Sequence, residues 1–111
     1  MTVPGVEVVV RPLVASDLDQ LDRLERTLFD AAAWSRASFA EDIEADGRWY
    51  LGAERAADGA LVGYAGIWFD GYDAQVMTIA VDAAHQGHGL GRRLLTALVG
   101  HAREVGAAQV L

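Results

Sequence analysis

Gln86-Gly87-His88-Gly89-Leu90-Gly91 lies between an apolar run, Val76 to Val81, and a leucine-rich stretch, Leu90 to Val105. In the second stretch Leu90, Leu94, Leu95, Leu98, Val99, Ala102 and Val105 recur at the spacing of one helix face packed on a core. A helix therefore starts at the glycines. Its first N–H groups have no intrahelical acceptor, and His88, Gly89 and Leu90 offer no Ser, Thr, Asp or Asn to cap them. Arg92 and Arg93 then fall in the first turn, where the helix dipole disfavours a cation by roughly 0.3–1 kcal/mol. A bound phosphate removes both oddities. Glycine admits a bulky anion to the backbone, the free N–H groups donate to it, and arginine adds charge. The alternative is a plain glycine turn, and the preceding strand, uncapped start and arginines weigh against it.

Elimination narrows the ligand. A dinucleotide fingerprint starting at Gly87 needs glycine or alanine at position 92, which is Arg92. The Walker motif needs a lysine, and the nine basic residues are all arginine. What fits is Q-x-x-G-x-G after a strand and a short loop and before a helix.

That pattern resembles the acyl-coenzyme A pyrophosphate motif of the GNAT acetyltransferases. The run from Thr78-Ile79-Ala80-Val81-Asp82 to Gly91-Arg92-Arg93-Leu94-Leu95 is similar to the signature of the RimI branch, which acetylates protein N-termini. Trp34-Ser35 is similar to that branch's Pro-Trp-Ser element, with Ala33 in the proline's place; Ala83 and His85 are further departures. The resemblance implies acetyl-CoA as cosubstrate, held by Ile79, Ala80 and Val81 and by Gly87, His88, Gly89, Leu90, Gly91 and Arg92. It also implies an oxyanion donor on the strand Ile79 to Val81. The acceptor implied is a protein or peptide N-terminal α-amine, with a small-molecule amine as alternative. A catalytically incomplete acyl-CoA-binding or interaction module is the other class.

Composition agrees. A chain of 111 residues supports one domain, residues 1–111, with one modest core. Without cysteine it has neither a disulfide framework nor a thiolate nucleophile. Met1 to Val10 lacks the basic flank of a signal peptide, and no apolar run approaches a membrane span, so the cytoplasm is the expected location. The net charge of −7 argues against nucleic acid and favours a cationic peptide, unless it serves solubility alone.

The elements follow in order. Val6 to Pro12 reads as a strand. Ser16 caps a helix with Asp17 and Asp19 in its first turn and Leu18, Leu21, Leu24 and Leu28 inside. A second helix opens at Ser35, stapled by Trp34 and Phe39, and stops near Gly47. Trp49 to Glu54 and Leu61 to Phe69 form a hairpin about Asp58-Gly59, and Gln75 to Val81 is the strand before the cradle. Gly106 ends the last helix, and Gln109-Val110-Leu111 starts another strand. The expected fold is α/β (α+β), a GNAT-type central mixed sheet flanked by helices in the order β-α-α-β-β-β-α-β, without the C-terminal α-β-β part.

Amine attack on a thioester requires a neutral amine, hence a base, and the leaving thiolate requires an acid. The resemblance puts that glutamate and tyrosine past Leu111, so the catalytic residues are left unassigned. Tyr64, Tyr72, Asp70 and Asp73 lie where relatives bind substrate, yet each reads first as a packing or loop residue. Trp34 reads first as a staple. Asp82, His85 and His88 have a D-x-x-H-x-x-H spacing, but on a loop without a further ligand no metal is expected. His88 flanks the phosphate, whereas His85 and His101 are expected to be exposed. The strand Gln75 to Val81 is expected to leave an open ladder edge through which copies could associate.

Overall fold

The computed structural model describes residues 7–111. In chain order it has β1 (Val8–Pro12), α1 (Leu18–Phe29), α2 (Arg36–Asp42), β2 (Arg48–Arg55), β3 (Leu61–Phe69), β4 (Ala74–Val81) and α3 (Leu90–Glu104), with single 3-10 turns at Ala15–Asp17, Asp30–Ala32 and Ala83–His85. The sheet order is β1-β2-β3-β4, and each pair is antiparallel. The start expected at Val6 lies outside the described residues.

Strand side chains alternate between two faces, and the sequence puts apolar groups on both. On one face Ala53, Ala65 and Ile67 meet Leu90, Leu94, Leu98 and Ala102, the inner stripe of α3. On the other Tyr50, Leu61, Tyr64 and Ala80 meet Leu18, Leu21 and Leu24 of α1 and Phe39 of α2. Leu94 and Leu98 are wholly buried, each worth roughly 1.5–3 kcal/mol. Phe39 is the centre of an aromatic cluster, edge-on to Tyr50 at 6.4 Å and to Tyr64 at 6.0 Å.

The second helix starts as its sequence indicates. Ser35 Oγ accepts from the Ser38 N–H at 3.1 Å, and the Trp34 and Phe39 rings lie 5.4 Å apart as a hydrophobic staple. It ends earlier than expected, at Asp42 rather than near Gly47, and the Asp42 carboxylate turns to the Tyr50 hydroxyl and to Arg48. The first helix differs at its start. Ser16 sits inside a 3-10 turn and does not cap it; α1 begins at Leu18. The Asp17 carboxylate instead accepts the Val14 N–H at 2.8 Å and both Arg11 nitrogens at 2.8 and 2.7 Å, because a bidentate guanidinium from β1 outweighs a local cap.

The four strands themselves are purely antiparallel. The parallel part of the expected mixed sheet is one bridge, Ala74 to Val110, with the Ala74 N–H donating to Gln109 O at 2.9 Å and the Val76 N–H to Leu111 O at 3.0 Å. Beyond Val76 no described residue pairs with the outer edge of β4.

Candidate functional site

The outer edge of β4 is aimed by a bulge. In a strand the N–H and C=O of one residue point the same way and alternate along the chain. The Val76 N–H points outward, to Leu111. The Asp82 N–H points inward, to Val62 O at 2.8 Å. Six residues apart, they would point alike in a regular strand. The ladder pairs Gly66 with Thr78 and Ile67 with Val76, so Met77 is the extra residue that reverses the sense. Ile79 and Val81 consequently turn their N–H groups out to the open edge, and Ala80 turns its own toward β3. Gln86 Nε2 donates to Val81 O at 2.9 Å, which confirms the outward sense of Val81 and fixes the first residue of the glycine loop against the strand.

The loop continues through Gly87 and Gly89 at φ +82° and +78°, the left-handed region that favours glycine. A Cβ at either would meet nothing within 4 Å, so both open onto free space. Gly89 is the N-cap of α3 and brings no side-chain cap. The first in-helix bond here runs from the Arg93 N–H to Gly89 O, and among the described residues the N–H groups of Leu90, Gly91 and Arg92 have no acceptor. Leu90 puts its side chain in the core and leaves only its amide at the cradle. His88 and Arg92 are exposed beside it. Arg93 is not part of it; its Nη1 donates to Val8 O at 3.0 Å and covers the edge of β1.

Two histidines are not where the sequence suggested. His85 is buried at 6% exposure, its Nδ1 3.0 Å from Asp82 Oδ2 and its Nε2 3.4 Å from Arg55 Nη1. It ties the cradle loop to the β2–β3 hairpin, so the D-x-x-H part of the metal-like spacing is used as a structural clasp. His101 is half-buried and stacks on Trp49 at 3.8 Å, which lowers its pKa through burial, with Glu104 opposing.

Three of the four hairpin candidates for proton transfer are already engaged. Asp70 accepts the Tyr72 and Asp73 N–H groups at 2.8 Å, which holds its carboxyl below the usual range. Asp73 Oδ2 accepts from Gln109 Nε2 at 3.2 Å, while its Oδ1 is buried without a partner among the described residues. Tyr72 is 70% exposed. Tyr64 is fully buried, and burial together with a hydrogen bond to Glu25 raises its pKa far above that of a free phenol.

Glu25 was not found by sequence reasoning. It is buried at 4% exposure with Oε1 on the Tyr64 hydroxyl and Oε2 accepting the Trp34 N–H at 2.8 Å. Its signal was an acid inside the apolar stripe Leu18, Leu21, Leu24, Leu28, one turn after Leu21. Beside Trp34 lies an open groove of about 510 Å³ lined by Ala33, Trp34, Ser35, Ser38, Glu41 and Asp42.

An open strand edge with outward donors, next to a glycine-framed helix start with unpaired N–H groups, defines an α/β protein suited to an extended ligand carrying a phosphate. Residues 16–111 match the Acetyltransferase (GNAT) family, and the chain belongs to it. It is 38% identical over 93% of its length to the N-alpha-acetyltransferase RimI of Mycobacterium tuberculosis, and 32% identical over 91% to a putative [ribosomal protein bS18]-alanine N-acetyltransferase of Bacillus subtilis. It spans 67% and 66% of those proteins, and 28% of a longer, uncharacterised Mycobacterium leprae relative that is 39% identical to it. The ribosomal-protein-S18-alanine N-acetyltransferase from Escherichia coli superposes with a TM-score of 0.79 at 25% identity, covering 94% of this chain and 64% of that one. These likenesses support a RimI-like branch of the family. No helix among the described residues is long and apolar enough to cross a membrane.

Proposed function

We propose that this chain supplies the donor half of a cytoplasmic, acetyl-CoA-dependent N-acetyltransferase whose acceptor is a protein N-terminal α-amine. The observation that carries the reading is the set of unpaired donors. The amides from Gly87 to Arg92 would hold the pyrophosphate, and those of Ile79 and Val81 the acyl-bearing arm. The fit is supported by Gly87 and Gly89, whose Cα atoms face open space that a ligand can fill. The coenzyme brings an activated thioester. The chain's own part is to bind and orient it, and to offer an N–H at Ile79 or Val81 to an oxyanion.

The acceptor half of the reading is supported by the groove beside Trp34. Glu41 is exposed there and makes no ion pair among the described residues, while Asp42 beside it is already paired with Arg48 and Tyr50, and the net charge is −7. Such a wall suits an ammonium-bearing peptide end. The names of the two curated relatives point the same way. Calorimetry with acetyl-CoA, followed by mass spectrometry of a panel of peptides with free N-termini, tests both halves. Micromolar donor binding and mass added at the α-amine are expected. Failure to bind acetyl-CoA would reject the donor reading, and mass added only to lysine side chains or to small amines would reject the acceptor.

A further inference from the structure

Glu25 costs free energy to bury and takes no part in the donor cradle. Both of its oxygens are used, and the two partners come from different parts of the fold. The Tyr64 hydroxyl reaches it from the centre of β3, where Tyr64 is in register with Ala80 of β4. The Trp34 main-chain N–H reaches it at 2.8 Å from the junction of α1 and α2, the residue that walls the groove. Ala80 lies between Ile79 and Val81, whose amides face the donor edge. One buried carboxylate thus links the groove wall to the strand that would present the thioester.

We propose that Glu25 is a positioning residue for the acceptor, one that fixes Trp34 and the groove in register with β4. This rests on the acceptor reading given above. The groove wall is otherwise a short segment between two helices, held from outside by an exposed Arg36–Asp19 pair at 2.9 Å. A glutamine keeps both contacts, because its oxygen accepts from Trp34 and its amide donates to the Tyr64 oxygen, and it leaves only the Tyr64 O–H proton without an acceptor. An alanine leaves two buried donors without a partner.

The test uses the full chain and two probes. Acetyl-CoA is titrated by calorimetry, and an alanine-initiated hexapeptide amide is titrated into the CoA-saturated chain by tryptophan fluorescence. Glu25→Ala is expected to weaken the peptide at least tenfold and acetyl-CoA less than twofold, and Glu25→Gln to stay within threefold of wild type for both. Should Glu25→Ala not fold, Tyr64→Phe decides. It removes the carboxylate's anchor and keeps its bond to Trp34, and a loss of at least fivefold confined to the peptide is expected. Unchanged peptide affinity, or equal loss of both ligands, overturns the positioning role while leaving the acceptor reading intact. A wild-type chain that binds acetyl-CoA and ignores the peptide overturns the acceptor reading and this inference with it.

Discussion

Gly89 and Gly91 stand two residues apart in the same motif, yet the structure assigns them opposite sensitivities. Gly89 has φ +78°, where an L-residue costs roughly 1–2 kcal/mol, and its Cβ would project into the open mouth of the cradle. Gly91 has ordinary helical backbone. Its Cβ would rest 3.9 Å from Val81 Cγ2, a normal contact, and alanine there should add up to about 1 kcal/mol of helix stability. Gly89→Val should therefore lower the melting temperature by several degrees and weaken acetyl-CoA by at least about tenfold, or 1.4 kcal/mol. Gly91→Ala should raise the melting temperature by up to roughly 4–6 °C and keep the affinity within about threefold. Calorimetry well below both transitions separates binding from stability. Unchanged affinity in Gly89→Val, or an equal loss in Gly91→Ala, would refute the cradle as built from Gly87 to Arg92.

Other outcomes follow from individual pairs. Asp17, buried against Arg11, has its carboxyl held below the usual value chiefly by that hydrogen bond. Its stabilising contribution is complete above the ordinary carboxylate pKa and is lost as pH falls through the depressed one; Asp17→Asn should cost about 2–3 kcal/mol at pH 7 and flatten the acid limb of a urea-stability profile. Because burial lowers the pKa of His101, the stack on Trp49 favours the neutral ring, so stability should be complete above about pH 6.5 and decline below it. Protonation of His101 should appear as a step below about pH 6.5 in a tryptophan fluorescence titration and vanish in His101→Phe, and its persistence there would place the titrating group elsewhere. The outer edge of β4 beyond Val76, which no described residue pairs, should let residues 1–111 associate as concentration rises; sedimentation showing a monomer at all concentrations would exclude this. With Asp70 and Tyr64 engaged and Asp73 tied to Gln109 through one oxygen, residues 1–111 should bind acetyl-CoA yet turn over slowly, short of a full acid–base contribution of about 10²–10⁴. Robust α-amine acetylation by residues 1–111 would show that a working base lies among them.

Patterns with a local cause were readable in the chain. The stripe Leu90, Leu94, Leu98, Ala102 defines α3, Gly87 and Gly89 define the loop before it, and Trp34, Ser35 and Phe39 define the start of α2, because each depends on residues within a turn or two of one another. The donor motif is of this kind, and so the family was legible. What required the tertiary structure involves partners distant in sequence. Ser16 has no capping role because the 3-10 turn Ala15–Asp17 takes it in, a turn tied through Asp17 to the Val14 N–H and to Arg11 on another element. His85 is buried because Arg55 and Asp82 close around it, and Arg93 leaves the cradle for a carbonyl on β1. Glu25 stands on the apolar stripe of α1 with no local partner, and only β3, which brings Tyr64 across it, gives its charge a place. The outward sense of Ile79 and Val81 depends on the bulge at Met77, a change of ladder register that no side-chain pattern encodes. Short-range hydrogen bonding and periodicity belong to the sequence; the pairing of buried charge and the direction of an edge amide belong to the assembled sheet.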